Sequence, residues 1–109
     1  MQEEKLTKIL IISGSPRLES KSARVVKHLY KLLDHQKTFK TEILDVREYP
    51  LPVFEFVFES YESTPDLYKP LAEKVFQSDA YVIVSPEYNG SYTAALQNLF
   101  DHFPRQQKK

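Results

Sequence analysis

The chain has 109 residues, room for one domain and not two, with 15 Lys+Arg balanced by 15 Asp+Glu. That balance argues against nucleic acid or an anionic membrane surface as partner, since both reward a basic excess. The absence of cysteine excludes disulfides, a thiol nucleophile, thiolate zinc sites and Cys-ligated iron–sulfur clusters.

Hydrophobic residues at 41% and charged residues at 28% are ordinary for a soluble globular domain and too apolar for a disordered chain. The aliphatic run Ile9-Leu10-Ile11-Ile12 is far short of a signal-peptide core or a membrane span, and Met1-Gln2-Glu3-Glu4 is acidic where a secretory segment would be basic. The expected location is the cytoplasm.

In chain order, residues 8–13 form a continuous aliphatic run that ends at Gly14, as expected of a strand covered on both faces in a parallel sheet. Residues 22–35 follow with Val25, Val26, Leu29, Tyr30 and Leu33 at helical spacing. A weaker strand is expected over residues 41–46. Residues 53–58, rich in phenylalanine, read as a loop folded back onto its own core, with a short extra strand and a partner-contact surface as the alternatives. A helix is expected between about residues 65 and 78 with Leu67, Leu71, Val75 and Phe76 inward, and Thr64-Pro65 as cap and first turn. Pro70 leaves the start of its regular part open.

Residues 80–85 repeat the buried-strand pattern, and residues 93–103 form a last helix, with Ala95, Leu96, Leu99, Phe100 and Phe103 on one side and Pro104 as stop. Strand and helix alternate, which implies right-handed βαβ units, a parallel sheet and an α/β fold. His28, His35 and His102 show no metal spacing; the first two belong on an outer helix surface.

Average usage would give about seven or eight glycines in a chain of this length, and there are two. Gly14 directly follows the first strand, and Gly90 lies just past the last one. In an open sheet of order 2-1-3, ligands bind beyond the carboxyl ends of the strands, between the first and third, where both glycines fall.

The first loop, Ser13-Gly14-Ser15-Pro16-Arg17-Leu18-Glu19-Ser20-Lys21-Ser22, runs into a helix N-terminus. Backbone amides, the hydroxyls of Ser15, Ser20 and Ser22, and the Arg17 guanidinium make it suited to an anion. It lacks the second glycine and Lys-Ser/Thr pair of a Walker A loop, and it is no G-x-G-x-x-G fingerprint. A monophosphate fits. The second loop, Ser85-Pro86-Glu87-Tyr88-Asn89-Gly90-Ser91-Tyr92, offers flat contacts, backbone polar groups and a glycine for close approach, which a planar heterocycle needs.

These two loops resemble those of the NAD(P)H-dependent FMN reductases, a flavodoxin-like family that includes azoreductase- and quinone-reductase-type enzymes. The resemblance is carried by Gly14-Ser15-x-Arg17-x-x-Ser20-x-Ser22, by Ser85-Pro86-Glu87-Tyr88-Asn89-Gly90-Ser91 with Leu96-x-Asn98, and by Asp45-Val46-Arg47-Glu48-Tyr49-Pro50-Leu51-Pro52. It spans residues 8 to about 105. Ser22 stands where many relatives have asparagine.

The resemblance implies a flavodoxin-like three-layer sandwich, with Ser15, Arg17, Ser20 and Ser22 on the FMN phosphate. It also implies that Pro86, Glu87, Tyr88, Asn89, Gly90 and Ser91 line the flavin ring. The activity implied is hydride transfer from NAD(P)H to FMN and on to a small-molecule acceptor in a ping-pong scheme, with no acid–base residue assigned. Residues 1–109 are expected to form one domain that stops short of the family's fourth and fifth strands. The third strand is then an edge, and a dimer or higher oligomer is expected. A non-catalytic flavodoxin-like module or an inactive truncated reductase is the other function class left open.

Overall fold

Along the first strand the side chains alternate between two apolar layers, and both layers are filled. The computed structural model describes residues 6–15, 21–52, 57–86 and 93–104. Strands β1 (Thr7–Ser13), β2 (Phe39–Asp45) and β3 (Ala80–Val84) form a parallel sheet of order β2-β1-β3. The expected α/β, flavodoxin-like arrangement therefore holds for the strands present.

Ile9 and Ile11 pack with Val26 of helix α1 (Lys21–Asp34), joined by Leu29, Tyr30 and Leu33. Leu10 and Ile12 pack on the opposite face with Leu71, Ala72 and Val75 of α2 (Lys69–Gln77) and Leu96 and Leu99 of α3 (Ala94–Asp101). Coverage on both sides explains why β1 reads as an unbroken aliphatic run rather than an alternating one.

The helix faces differ in detail from the periodic pattern. Val25, expected inward, is 49% exposed, because the sheet contacts only the stripe that runs through Val26, Leu29, Tyr30 and Leu33. Leu67 is 79% exposed, since it lies in a 3-10 turn (Asp66–Tyr68) ahead of α2 and not in the helix itself.

Pro70 sits in the first turn of α2, where its missing N–H has no carbonyl to serve, and this settles the open boundary. Thr64 does not cap: its buried hydroxyl donates to the Ser60 carbonyl at 2.7 Å and closes the preceding turn. β2 ends at Asp45, and Val46 begins a second 3-10 turn (Val46–Glu48).

Phe58, the last residue of the aromatic segment, lies in the core. It is buried, its N–H donates to the His102 carbonyl at 2.7 Å, and its ring meets Tyr68, His102 and Phe103 at centroid distances of 5.7, 5.2 and 5.7 Å. Residues 53–56 lie outside the described residues. His28 and His35 are exposed, whereas His102 at the end of α3 is buried, with Nδ1 2.8 Å from the Asn98 carbonyl.

The two edges of the sheet are unlike. On β2, Lys74 donates to the Ile43 carbonyl at 2.9 Å and lies over the Tyr49 ring, so a charge blunts that strand. β3 is not covered on both faces as its composition implies. Tyr81 and Ile83 are 39% and 43% exposed, beside an apolar groove of about 280 Å³ lined by Ile12, Val75, Phe100 and Phe103. An edge strand has one neighbour instead of two, and the side chains beside its open edge stay accessible.

Candidate functional site

Gly14 is the point where the two loops singled out by their composition are joined. Its N–H donates to the Val84 carbonyl at 2.9 Å, which carries the β1–β3 pairing one bond past the end of β1. Its carbonyl accepts from the Thr93 hydroxyl at 2.6 Å. The same Thr93 oxygen accepts the Leu96 N–H at 3.1 Å and caps α3. Thr93 is itself buried. The loop before α1 and the loop before α3 thus start and finish on one buried residue pair, at the carboxyl end of β1 and β3.

Space is what requires glycine at position 14. A Cβ there would stand 3.0 Å from Cδ2 of Leu96 and 3.4 Å from its Cβ and Cδ1, and Leu96 is fully buried. The side chain of Leu96, in the first turn of α3, therefore packs directly against Gly14.

The N-terminus of α1 suits an anion. Its first turn, Lys21-Ser22-Ala23-Arg24, carries two cations and no acid, the reverse of what a helix dipole favours unless negative charge is supplied from outside. By the two-residue period of β1, Ser13 lies on the same face as Ile9 and Ile11, the face that α1 covers. Its hydroxyl is buried and has no hydrogen-bond partner among the described residues, an arrangement that a bound polar group would relieve. These residues fit a phosphate.

Three of the ten expected site residues are described. Ser15 is buried beside Gly14, Ser22 is half-buried in the first turn of α1, and Pro86 is half-buried just past β3, its carbonyl accepting from the Ser85 hydroxyl at 3.0 Å. Arg17, Ser20, Glu87, Tyr88, Asn89, Gly90 and Ser91 lie outside the described residues.

A third segment, residues 45–52, belongs to the same end of the sheet. Asp45 pairs with Ser13 in the strand register and holds Arg47 in a fork, with Nε at 3.0 Å from both carboxylate oxygens and a terminal nitrogen at 2.6 Å. Burial pushes the Asp45 carboxyl up. The Arg47 side-chain and backbone hydrogen bonds and its positive charge outweigh that, so the carboxyl titrates below its ordinary value. Asn98 of α3 donates to the carbonyls of Leu51 and Pro52 at 3.3 and 2.9 Å, tying this segment to the helix that follows the second loop.

Thr93 and Ser13 were not among the expected site residues. Thr93 stands one residue before a helix in a position that favours threonine, a signal that marks a cap and nothing more. Its bond to a residue 79 positions away has no trace in sequence. Ser13 reads as the last residue of a strand.

The family model described as NADPH-dependent FMN reductase matches residues 7–109. The chain belongs to the NADPH-dependent FMN reductase family. Curated relatives include the FMN-dependent NADPH-azoreductases of Staphylococcus aureus strains USA300 and NCTC 8325 / PS 47. Each is 33% identical over 97 residues that cover 85% of this chain and 50% of the relative. The chain spans about half the length of the curated relatives it matches. The residues bonded to Gly14, Val84 and Thr93, flank the second of the two loops whose motifs carry the resemblance. No helix among the described residues is long and apolar enough to cross a membrane.

Proposed function

We propose that the protein is an FMN-dependent oxidoreductase that takes NADPH as hydride donor and passes the reducing equivalents to a small-molecule acceptor of the quinone, azo or free-flavin type. The observation that carries this proposal is the joining of both loops at Gly14, through Val84 and Thr93, where the strand order reverses. Family membership and the azoreductase relatives support the same chemistry.

In this proposal residues 1–109 act as one flavodoxin-like domain. Ser15, Arg17, Ser20 and Ser22 hold the FMN phosphate, and the first turn of α1 adds amide donors and the charges of Lys21 and Arg24. Pro86, Glu87, Tyr88, Asn89, Gly90 and Ser91 form the wall for the ring. Bound FMN would supply two-electron hydride chemistry that no side chain of this composition offers. The protein's part is to fix the phosphate, present a flat wall to the ring and keep the reacting face ordered. No side chain is assigned proton transfer.

The proposed assembly is a dimer or higher oligomer, for which the apolar groove beside Tyr81 and Ile83 offers contact area. The proposed location is the cytoplasm, where NADPH is regenerated. Titration of the purified chain with FMN, followed by an NADPH-oxidation assay with a quinone acceptor, tests the proposal. Saturable FMN binding with FMN-dependent turnover is expected. FMN binding without turnover would make the chain a binding module, and no FMN binding at micromolar concentration would overturn the proposal.

A further inference from the structure

Taking the proposed FMN site as its premise, we infer that Thr93 is a positioning residue whose hydroxyl fixes the Gly14–Ser15 peptide and thereby registers the phosphate loop against the ring loop. The bond at 2.6 Å is buried, and the Gly14 carbonyl accepts it while the Gly14 N–H is held by Val84 at 2.9 Å. Both polar groups of Gly14 are therefore committed, and Leu96 closes off the space beside its Cα.

A trans peptide is planar, with its C=O and N–H pointing in opposite directions. With the Gly14 carbonyl aimed at Thr93, the Ser15 N–H of that peptide is aimed away from Thr93 and α3. Thr93 thus sets the direction of the first backbone donor of the anion loop. Because the same oxygen accepts the Leu96 N–H, it also sets where the helix after the ring loop begins. One hydroxyl ties the start of the first loop to the residue that follows the second.

A ligand that spans two loops gains from their being pre-positioned, since the second contact is then intramolecular; a ligand that uses one loop gains far less. FMN, with a phosphate at one end and a ring at the other, is of the first kind. Riboflavin, which lacks the phosphate, is of the second. A helix cap without this coupling would act on both ligands alike, through stability alone.

The experiment compares Thr93→Val, Thr93→Gly and Thr93→Ser in the full 109-residue chain. Valine keeps the shape and removes the hydroxyl; glycine starts a helix nearly as well as threonine but cannot reach the Gly14 carbonyl; serine keeps both hydrogen bonds. FMN affinity should fall about tenfold or more in Thr93→Val and Thr93→Gly, riboflavin affinity should change about twofold or less, and Thr93→Ser should match the parent for both.

In the ligand-free protein, amide exchange at Gly14 and Ser15 should quicken in the first two variants and not in the third. Should Thr93→Val fail to fold, Thr93→Gly carries the comparison. Equal losses of FMN and riboflavin, or unchanged exchange at Ser15 in Thr93→Gly, would overturn the inference. A parent chain that binds no FMN would overturn the cofactor assignment, and the ligand-free exchange measurement would still decide whether Thr93 fixes the loop.

Discussion

Gly14→Ala places a methyl group in tight contact with the Leu96 side chain, which would have to give way by a few tenths of an ångström. The new Cβ would lie 3.0 Å from Cδ2 of Leu96, with its Cβ and Cδ1 at 3.4 Å behind. Leu96 is fully buried, and its backbone is pinned by the Thr93 cap, so the leucine can shift only by disturbing the core around Leu10 and Leu99. Overpacking of this kind costs about 1–3 kcal/mol. Alanine recovers about 0.4–1 kcal/mol by narrowing the unfolded ensemble. The expected net loss is about 1–2 kcal/mol, or a fall in melting temperature of about 5 °C for each kcal/mol in a domain of this size.

Urea denaturation of parent and variant, with the slope of the transition checked for constancy, measures the loss directly. A Leu96→Ala background supplies the control. Leu96→Ala alone should cost about 2–5 kcal/mol, and Gly14→Ala added to it should cost close to nothing, because the cavity accepts the methyl group. A Gly14→Ala variant as stable as the parent, or more stable, would show that Leu96 yields freely. The close approach of α3 to the first loop would then not be what requires glycine.

Arg17→Ala should weaken FMN by about 1–3 kcal/mol, the scale of a hydrogen bond to a charged group, and leave riboflavin much less affected; equal losses in parallel titrations would place Arg17 away from the phosphate. The Asp45 carboxyl, held below its ordinary value of 3.8, contributes stability that is present above that value and lost as pH falls through the lowered one. Asp45→Asn should therefore flatten the decline of the urea midpoint between about pH 5 and pH 2, and an unchanged decline would assign the acid sensitivity to other groups. Ile83→Lys puts a charge beside the apolar groove and should convert the oligomer to a monomer in sedimentation velocity; a parent chain that sediments as a monomer would refute the proposed assembly.

The candidate site is marked in the sequence by local chemistry. A glycine directly after an aliphatic strand, hydroxyls and an arginine ahead of a helix, and a polar loop with a glycine after the last strand each announce themselves within ten residues. Ser15, Ser22 and Pro86 stand at the loop ends where that local pattern puts them. The hydrogen bonds of Thr93 to Gly14 and of Asn98 to Leu51 and Pro52 link residues 79, 47 and 46 positions apart, and no local pattern encodes them.

The sequence by itself determined the alternation of strands and helices and the parallel sheet. Each follows from apolar periodicity and from where glycine and proline interrupt it, which are properties of neighbouring residues. Tertiary structure alone decided which apolar residues are covered. Val25 and Leu67 fit a helical stripe in sequence yet face solvent, and Tyr81 and Ile83 of β3 read as buried yet are exposed. Burial depends on what packs against a residue from elsewhere in the chain, and a pattern of neighbours carries no record of that. For the same reason the need for glycine at position 14 became explicable only once Leu96 was seen beside it.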